Sequence, residues 1–185
     1  QRAALTAAHS FFQMIYGDGF IHADMHPGNV FFLKDGTFVL LDLGLVAELS
    51  DSDFKDNTDF FFGLVTGNGK ECARVIMEGS TWKARSFKPE AFEKEVVDLV
   101  ARNASVAAGD FEVSEFSGAI FDIQRRHGLR SNPNFATTII AMIVFEGIAK
   151  LLDPDLDFQQ EGRKFFAQAV SKRYNPSAQA GAAGG

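Results

Sequence analysis

The sequence predicts a mainly α-helical fold with one small β-hairpin. Apolar residues recur at helical spacing over most of the 185 residues, and Pro and Gly residues punctuate these stretches. Only residues 30–41 contain β-rich runs around a turn. Hydrophobic residues make up 46% of the chain, which is enough for the core of about one ordinary domain.

The N-terminal part predicts a helix, an irregular stretch and the hairpin. The helix spans about Arg2 to Tyr16 and ends at Gly17, and the octet HADMHPGN, residues 22–29, follows it. The runs Val30 to Leu33 and Phe38 to Leu41 flank a Lys-Asp-Gly turn and predict the hairpin. No further strand is predicted after it.

The remainder is predicted to be helical, because each apolar stretch has a start or stop signal. Ser50 or Asp51, Asn68 and Asn132 are suited to cap helices, and Gly128 is suited to end one. The tail "NPSAQAGAAGG", residues 175–185, is predicted to be disordered. The predicted helices cover about 51–65, 69–79, 89–103, 113–128, 133–152 and 158–174.

The most apolar stretch, Phe135 to Leu152, is predicted to be a buried helix. Glu146 and Lys150 interrupt it, and its uncharged part is too short to span a bilayer. A helix that touches lipid is the alternative. Because a buried unpaired charge is costly, Glu146 is expected to have a structural partner such as an arginine.

Charge and cysteine content limit the classes of partner and compartment. The formal net charge of −6 argues against a nucleic-acid partner, since nucleic-acid-binding proteins usually present a basic face. Cys72 is the single cysteine, which excludes an intrachain disulfide and favours a reducing compartment.

The octet is open to three interpretations, of which two are weak. Residues 22–24 have the H-x-D pattern of a two-His-one-carboxylate iron site, with His127 as the distal ligand. However, His127 lies at the end of a predicted helix, whereas such sites use a strand. The octet is alternatively a turn whose polar side chains bond the backbone, but this gives no reason for its spacing.

The third interpretation, phosphoryl transfer, is favoured by order and spacing. His22, Asp24 and Asn29 fit the H-x-D-x-x-x-x-N catalytic loop of kinases without a gap. Residues 42–44, Asp-Leu-Gly, follow the hairpin as the metal-binding Asp-x-Gly does in kinase-like folds. One carboxylate must face the activated hydroxyl or water, and an amide oxygen and a second carboxylate must hold the metal that neutralises the phosphates.

Residues 19–49, "GFIHADMHPGNVFFLKDGTFVLLDLGLVAEL", closely resemble the catalytic segment of the UbiB (AarF/ABC1-type) atypical kinases. They contain that family's H-A-D-x-H-P-G-N and D-[FL]-G motifs, and residues 145–158 resemble its C-terminal region. The resemblance implies a protein-kinase-like C-terminal lobe over residues 1–174. Its parts are a catalytic loop at 20–29, the hairpin at 30–41, a metal loop at 42–44 and a helical remainder.

The resemblance also implies roles for individual residues. Asp24 corresponds to the catalytic Asp that orients or deprotonates the nucleophile, and Asn29 and Asp42 correspond to magnesium ligands. His22 belongs to the same catalytic motif, and it is expected to brace the loop backbone. The residues expected to shape the loop or to lie near phosphate are His26, Pro27, Gly28 and Gly44.

ATP and Mg²⁺ are the implied cofactors, and support of ubiquinone (coenzyme Q) or other prenyl-lipid biosynthesis is the implied role. The implied locations are the bacterial cytoplasm, the mitochondrion or the plastid, in association with a membrane surface or prenyl lipid. The family's N-terminal lobe, with its phosphate-binding Lys and K-x-G-Q motif, has no counterpart in this sequence. We therefore expect a fragment that needs this lobe as a partner and is inactive alone.

Residues 45–49 leave no room for the long activation segment that supports a peptide substrate in protein kinases, so ATP hydrolysis or small-molecule phosphorylation is favoured.

Two alternative functions remain. A small-molecule phosphotransferase of the aminoglycoside or choline kinase type is one alternative, although those enzymes usually have His-Gly-Asp where this sequence has His-Ala-Asp at residues 22–24. A non-catalytic lipid-binding scaffold is the other, and the intact Asp24, Asn29 and Asp42 argue against it.

Overall fold

Seven α-helices and six short strands form the part of the chain that the computed structural model describes, residues 2–104 and 112–174. The predicted disordered tail lies outside the described residues. The helices are α1 Arg2–Phe12, α2 Asp51–Val65, α3 Gly69–Gly79, α4 Pro89–Ala104, α5 Val113–His127, α6 Pro133–Leu152 and α7 Phe158–Tyr174. The strands are β1 Phe20–His22, β2 Val30–Phe32, β3 Phe38–Leu40, β4 Val46–Glu48, β5 Trp82–Lys83 and β6 Leu129–Arg130.

The helix start and stop signals predicted from the sequence are confirmed. The side chains of Ser50, Asn68 and Asn132 each accept a backbone N–H in the first turn of the helix that follows. Gly128 ends α5 in the left-handed conformation. The first helix differs in one respect: its α-helical part ends at Phe12, and a π-helical turn over Gln13–Gly17 follows.

The strands pair as three antiparallel two-stranded sheets, β1 with β4, β2 with β3, and β5 with β6. The β2–β3 pair is the predicted hairpin. The prediction of no further strand after Gly44 was wrong, since β4 pairs with β1 in the register His22 to Val46. Each of these two strands has only three residues and its partner is remote in sequence, so neither carries a local hairpin signal.

Helix α6 is shared by two apolar clusters, which explains its composition. In the first cluster, Phe145 of α6 stacks on Phe11 of α1 with ring centroids 4.4 Å apart, and α7 contributes Phe158. In the second cluster, Phe135 of α6 packs edge-on against Phe60 of α2, alongside α3, α4 and α5. The core therefore continues along α6 from one cluster to the other.

Within the described residues, α6 is the one helix long and apolar enough to cross a membrane by length and composition, and half of it is buried inside the protein. Glu146 is buried in it and accepts the backbone N–H of Val113 at 3.1 Å, at the start of α5. Lys150 lies 3.7 Å away. The partner is thus structural, as expected, but a lysine and a helix N-terminus replace the expected arginine.

Candidate active site

Two pairs of strands hold the octet against the Asp-Leu-Gly segment. Strand β1 ends at His22, and the next N–H, of Ala23, donates to the carbonyl oxygen of Leu45 at 2.9 Å. On the other side of the octet, the N–H of Leu41 donates to the carbonyl oxygen of Asn29 at 2.8 Å. The residues before and after the Asp-Leu-Gly segment are therefore both hydrogen-bonded to the ends of the octet.

His22 connects the two segments directly. Its ring is 1% exposed, and Nε2 lies 2.8 Å from the carbonyl oxygen of Asp42. A carbonyl oxygen can only accept, so Nε2 carries the proton and donates. Among the described residues, Nδ1 of this buried ring has no hydrogen-bond partner. This geometry is that of a residue that braces the loop backbone, which is the role expected for His22.

Asp42 has an uncommon backbone conformation. Its φ of +54° makes it the non-glycine residue with positive φ in the described part of the chain, and Asp and Asn are enriched in this region because their short side chains bond locally. The side-chain Oδ1 accepts the N–H of Gly44 at 3.0 Å. A Cβ atom at position 44 would lie 2.9 Å from Oδ1, so a larger residue there would make the Asp42 side chain shift.

Asn29 and Asp24 are joined within the octet. The side chain of Asn29 is 8% exposed, and its Nδ2 donates to the carbonyl oxygen of Asp24 at 3.1 Å. Since Nδ2 is the donor, the Asn29 Oδ1 atom remains available as an acceptor or metal ligand. The Asp24 side chain is exposed.

His26, Pro27 and Gly28 form the turn that returns the chain to Asn29. The Nδ1 atom of His26 accepts the N–H of Gly28 at 3.0 Å, and Pro27 occupies the first position of a 3₁₀ turn over Pro27–Asn29. The hydrogen bond to Gly28 supports a loop-bracing role for His26, which was one of the roles considered for it.

The iron-site interpretation has no support in the structure. The Nε2 atom of His127 lies 2.9 Å from Oε1 of Glu95, and its ring packs edge-on against Phe92. Nowhere in residues 2–104 and 112–174 do three or more His, Cys, Asp or Glu side chains group to hold a metal ion.

The oxygen atoms at the site nevertheless suit Mg²⁺. This ion prefers hard oxygen ligands, is usually held by one or two protein carboxylates, and keeps several waters or phosphate oxygens. The Asn29 Oδ1 atom and the exposed carboxylate of Asp42 are oxygen donors of this kind and are the two that would hold the ion.

Sequence reasoning missed the strand that orients His22. Val46, Ala47 and Glu48 pair with β1 and so position the catalytic-loop histidine. Their sequence, Val-Ala-Glu, does not alternate between apolar and polar residues, and three residues are too few to distinguish a strand from a loop.

Comparisons with known proteins identify the family of the chain. Residues 2–76 match the family model described as the ABC1 atypical kinase-like domain, and residues 96–157 match the model of the UbiB helical domain. The first match contains the candidate site, and the second covers most of α4 and all of α5 and α6.

Individual relatives are similar over nearly the whole chain. An ABC1 family protein of Schizosaccharomyces pombe, described as mitochondrial, is 25% identical over 91% of this chain and 31% of its own length. A probable protein kinase UbiB from Shewanella pealeana is 26% identical over 92% of this chain and 32% of its own length. The chain thus spans about a third of the length of these curated relatives.

No solved structure matches the chain significantly. The two family models agree with the mostly helical, kinase-like fold of the chain. The chain belongs to the UbiB-type (ABC1) atypical kinase-like family.

Proposed function

We propose that the full-length protein binds ATP with Mg²⁺ through Asp24, Asn29 and Asp42. In this proposal it acts as a phosphotransferase or ATPase that supports ubiquinone or other prenyl-lipid biosynthesis. The observation that carries the proposal is a pair of 2.8 Å hydrogen bonds between the octet and the start of the metal loop. Leu41, just before the loop, donates to Asn29, and His22 donates to Asp42. The names of the relatives, which include probable protein kinases, are consistent with it.

Each residue has a separate task in this proposal. Asn29 Oδ1 and the Asp42 carboxylate hold the metal, which supplies positive charge to the phosphates when it is bound. Asp24, exposed beside them, orients the attacking hydroxyl or water. His22 holds the Asp42 backbone, and His26 holds the turn that brings Asn29 back to the metal.

The short connection after the metal loop supports a substrate other than a peptide. Strand β4 begins at Val46, pairs at once with β1, and is followed by α2 from Asp51. Protein kinases use a long segment at this point to support a peptide. We therefore propose a small molecule or water as the phosphoryl acceptor, and a membrane surface or prenyl lipid as the setting of the reaction.

Substitution of Asp42 by Asn in the full-length protein tests the metal site. The change removes one negative charge but keeps an acceptor for Gly44, and Asn tolerates positive φ, so the backbone should be retained. Since loss of even an indirect metal contact typically weakens metal binding by 10–100-fold, we expect Mg²⁺-dependent ATP binding to weaken at least about tenfold and hydrolysis to be lost. Calorimetric titration with ATP, with Mg²⁺ and with EDTA, measures the effect.

Asp35→Asn is the matched control. Asp35 lies in the hairpin turn, and its Oδ1 accepts the N–H of Thr37 at 2.9 Å, the same two-residue contact that Asp42 makes with Gly44. This variant changes charge equally and should bind ATP as the wild type does. Unchanged hydrolysis in Asp42→Asn would remove Asp42 from its proposed role.

A further inference from the structure

A cavity of about 280 Å³ lies between α1, α2, α6 and α7, near the end of α4. It is partly open to solvent, and the side chains of Asp24, Asn29 and Asp42 do not line it. It is therefore separate from the candidate active site. Its walls are mostly apolar and include Phe12, Tyr16, Phe61, Met142, Phe158 and Phe166.

Tyr16 gives this apolar cavity a polar group. Its side chain is 4% exposed and lines the cavity. Phe61 and Phe166 hold its ring edge-on, at centroid distances of 6.3 and 5.6 Å. Burial raises the pKa of the Tyr16 hydroxyl, so it stays protonated and can donate. A ligand oxygen in the cavity could accept this proton.

The backbone supports a functional reason for this placement. Tyr16 lies in the π-helical turn Gln13–Gly17, and the N–H of Asp18 donates to the carbonyl oxygen of Gln13 at 2.9 Å. Single π-helical turns are rare, and many of them occur at functional sites. Gly17 and Gly19 follow, and then β1, which carries His22.

A cation lies on the same wall. Arg163 lines the cavity and precedes Phe166 by one helical turn on α7, so both side chains share a face of that helix. The ring of Phe166 contacts that of Tyr16. Tyr16 and Arg163 therefore offer a hydroxyl donor and a positive charge on neighbouring parts of the cavity wall.

The volume limits the size of an occupant. An engineered apolar cavity of about 150 Å³ holds benzene, so about 280 Å³ holds roughly ten non-hydrogen atoms. This is too small for a peptide helix. We propose that the cavity binds a small amphipathic molecule with an apolar chain or ring of about ten atoms and an anionic oxygen head that accepts from Tyr16 and pairs with Arg163.

Methionine-methyl NMR of the full-length protein tests this proposal with sodium decanoate as the probe. Met142 lines the cavity, whereas Met77 of α3 packs against the second apolar cluster and is the internal control. We expect decanoate to shift the Met142 methyl resonance saturably and to leave the Met77 resonance unchanged. Decyltrimethylammonium, which has the same chain and a cationic head, should bind more weakly.

Two variants separate the polar contact from the apolar one. Tyr16→Phe keeps the ring and should weaken decanoate binding by about two- to tenfold, the effect of one hydrogen bond. The variant should fold, because it keeps the ring that packs against Phe61 and Phe166. Val65→Trp, at a half-exposed position in the lining, should block the probe by filling the cavity.

Three results would each overturn the proposal: equal shifts at Met142 and Met77, shifts that never saturate, or an unchanged affinity in Tyr16→Phe. These readouts do not involve ATP, so the inference stands or falls independently of the proposed active site.

Discussion

His22 acts on the candidate site through the backbone of Asp42. Its Nε2–H holds the carbonyl oxygen of Asp42, the residue with φ of +54°. A non-glycine residue in this region needs support from its surroundings. The buried His22 ring thus fixes the peptide group of Asp42, and this helps to orient the Asp42 carboxylate.

His22→Phe should therefore separate bracing from proton transfer. The variant keeps an aromatic ring in the buried site but loses the donor to Asp42, while it also removes the unpartnered Nδ1 atom, which offsets part of the loss. We expect the free energy of unfolding to fall by about 1–2 kcal/mol, and Mg²⁺-dependent ATP binding to weaken without a change in the pH profile of hydrolysis. Chemical denaturation and ATP titration measure these effects.

A changed pH profile in His22→Phe would instead indicate that His22 exchanges protons during the reaction. His26→Phe is the control for stability, because His26 is exposed and its side chain accepts the turn hydrogen bond from Gly28. It should lower the free energy of unfolding less than His22→Phe does.

At the scale of elements, a single carboxylate joins the starts of α2 and α6. The two oxygens of Asp53 accept from the amide groups of Asn132 at 2.7 Å and Asn134 at 2.8 Å, and from the hydroxyl of Ser50 at 2.8 Å. Asn132 and Ser50 are also the helix caps of α6 and α2. Asp53 thus fixes the start of α2 relative to the start of α6, the helix that both apolar clusters share.

Asp53→Ala should lower the free energy of unfolding by about 1.5–3 kcal/mol, because hydrogen bonds to a charged group are lost and two half-buried amides lose their partner. Asp51→Ala is the matched control: Asp51 occupies the same first turn of α2 but is exposed. Its contribution is the weaker interaction with the helix dipole, about 0.3–1 kcal/mol. Urea denaturation of both variants at neutral pH measures the difference.

The contribution of Asp53 to the free energy of unfolding should decrease at acidic pH. Burial alone would raise the pKa of this carboxyl, but hydrogen bonds from Asn134, Ser50 and Asn132 outweigh it and lower the pKa below its ordinary value. A carboxyl with a depressed folded pKa stabilises the fold above its unfolded pKa, and this stability is lost as the pH falls through the folded pKa. The difference between wild type and Asp53→Ala should shrink in that acid range, and a constant difference would contradict the role of ionised Asp53.

Some elements could be predicted from the sequence and others could not, because only some of them depend on residues that are close together in the chain. The helices and the β2–β3 hairpin carry caps, glycines and turn residues within a few positions, so they could be predicted. The octet and Asp42 could be connected because their spacing matches a known loop. The β1–β4 pair, the contact of Glu146 with Val113, and the cavity around Tyr16 depend on contacts between remote segments, for which one sequence has no local pattern. The contact of Glu146 with Lys150 is different, because it joins residues four positions apart on one helix and could have been predicted.

At the scale of the whole molecule, the surface around the candidate site is unusually apolar. Five side chains on and after the hairpin are each between 45% and 60% exposed. Large exposed apolar patches mark surfaces that another part of a protein covers. The relatives are about three times as long as this chain, and we propose that an N-terminal kinase lobe covers this hairpin surface, formed by Phe31, Leu33, Leu41, Leu43 and Leu45.

Covering the hairpin surface should be necessary for nucleotide binding, because in a kinase the phosphates are held from both lobes. We therefore expect the 185-residue chain to bind Mg²⁺-ATP at least about a hundredfold more weakly than the full-length protein, a difference of about 2.7 kcal/mol.

In the full-length protein, Leu43→Glu should weaken Mg²⁺-ATP binding toward the level of the isolated chain, since it places a charge in the apolar contact. Trp82→Glu is the control, because Trp82 is similarly exposed but lies on β5, outside this surface. Equal affinity in Leu43→Glu and the wild type, measured by titration with Mg²⁺-ATP, would show that the N-terminal lobe does not bind through this surface.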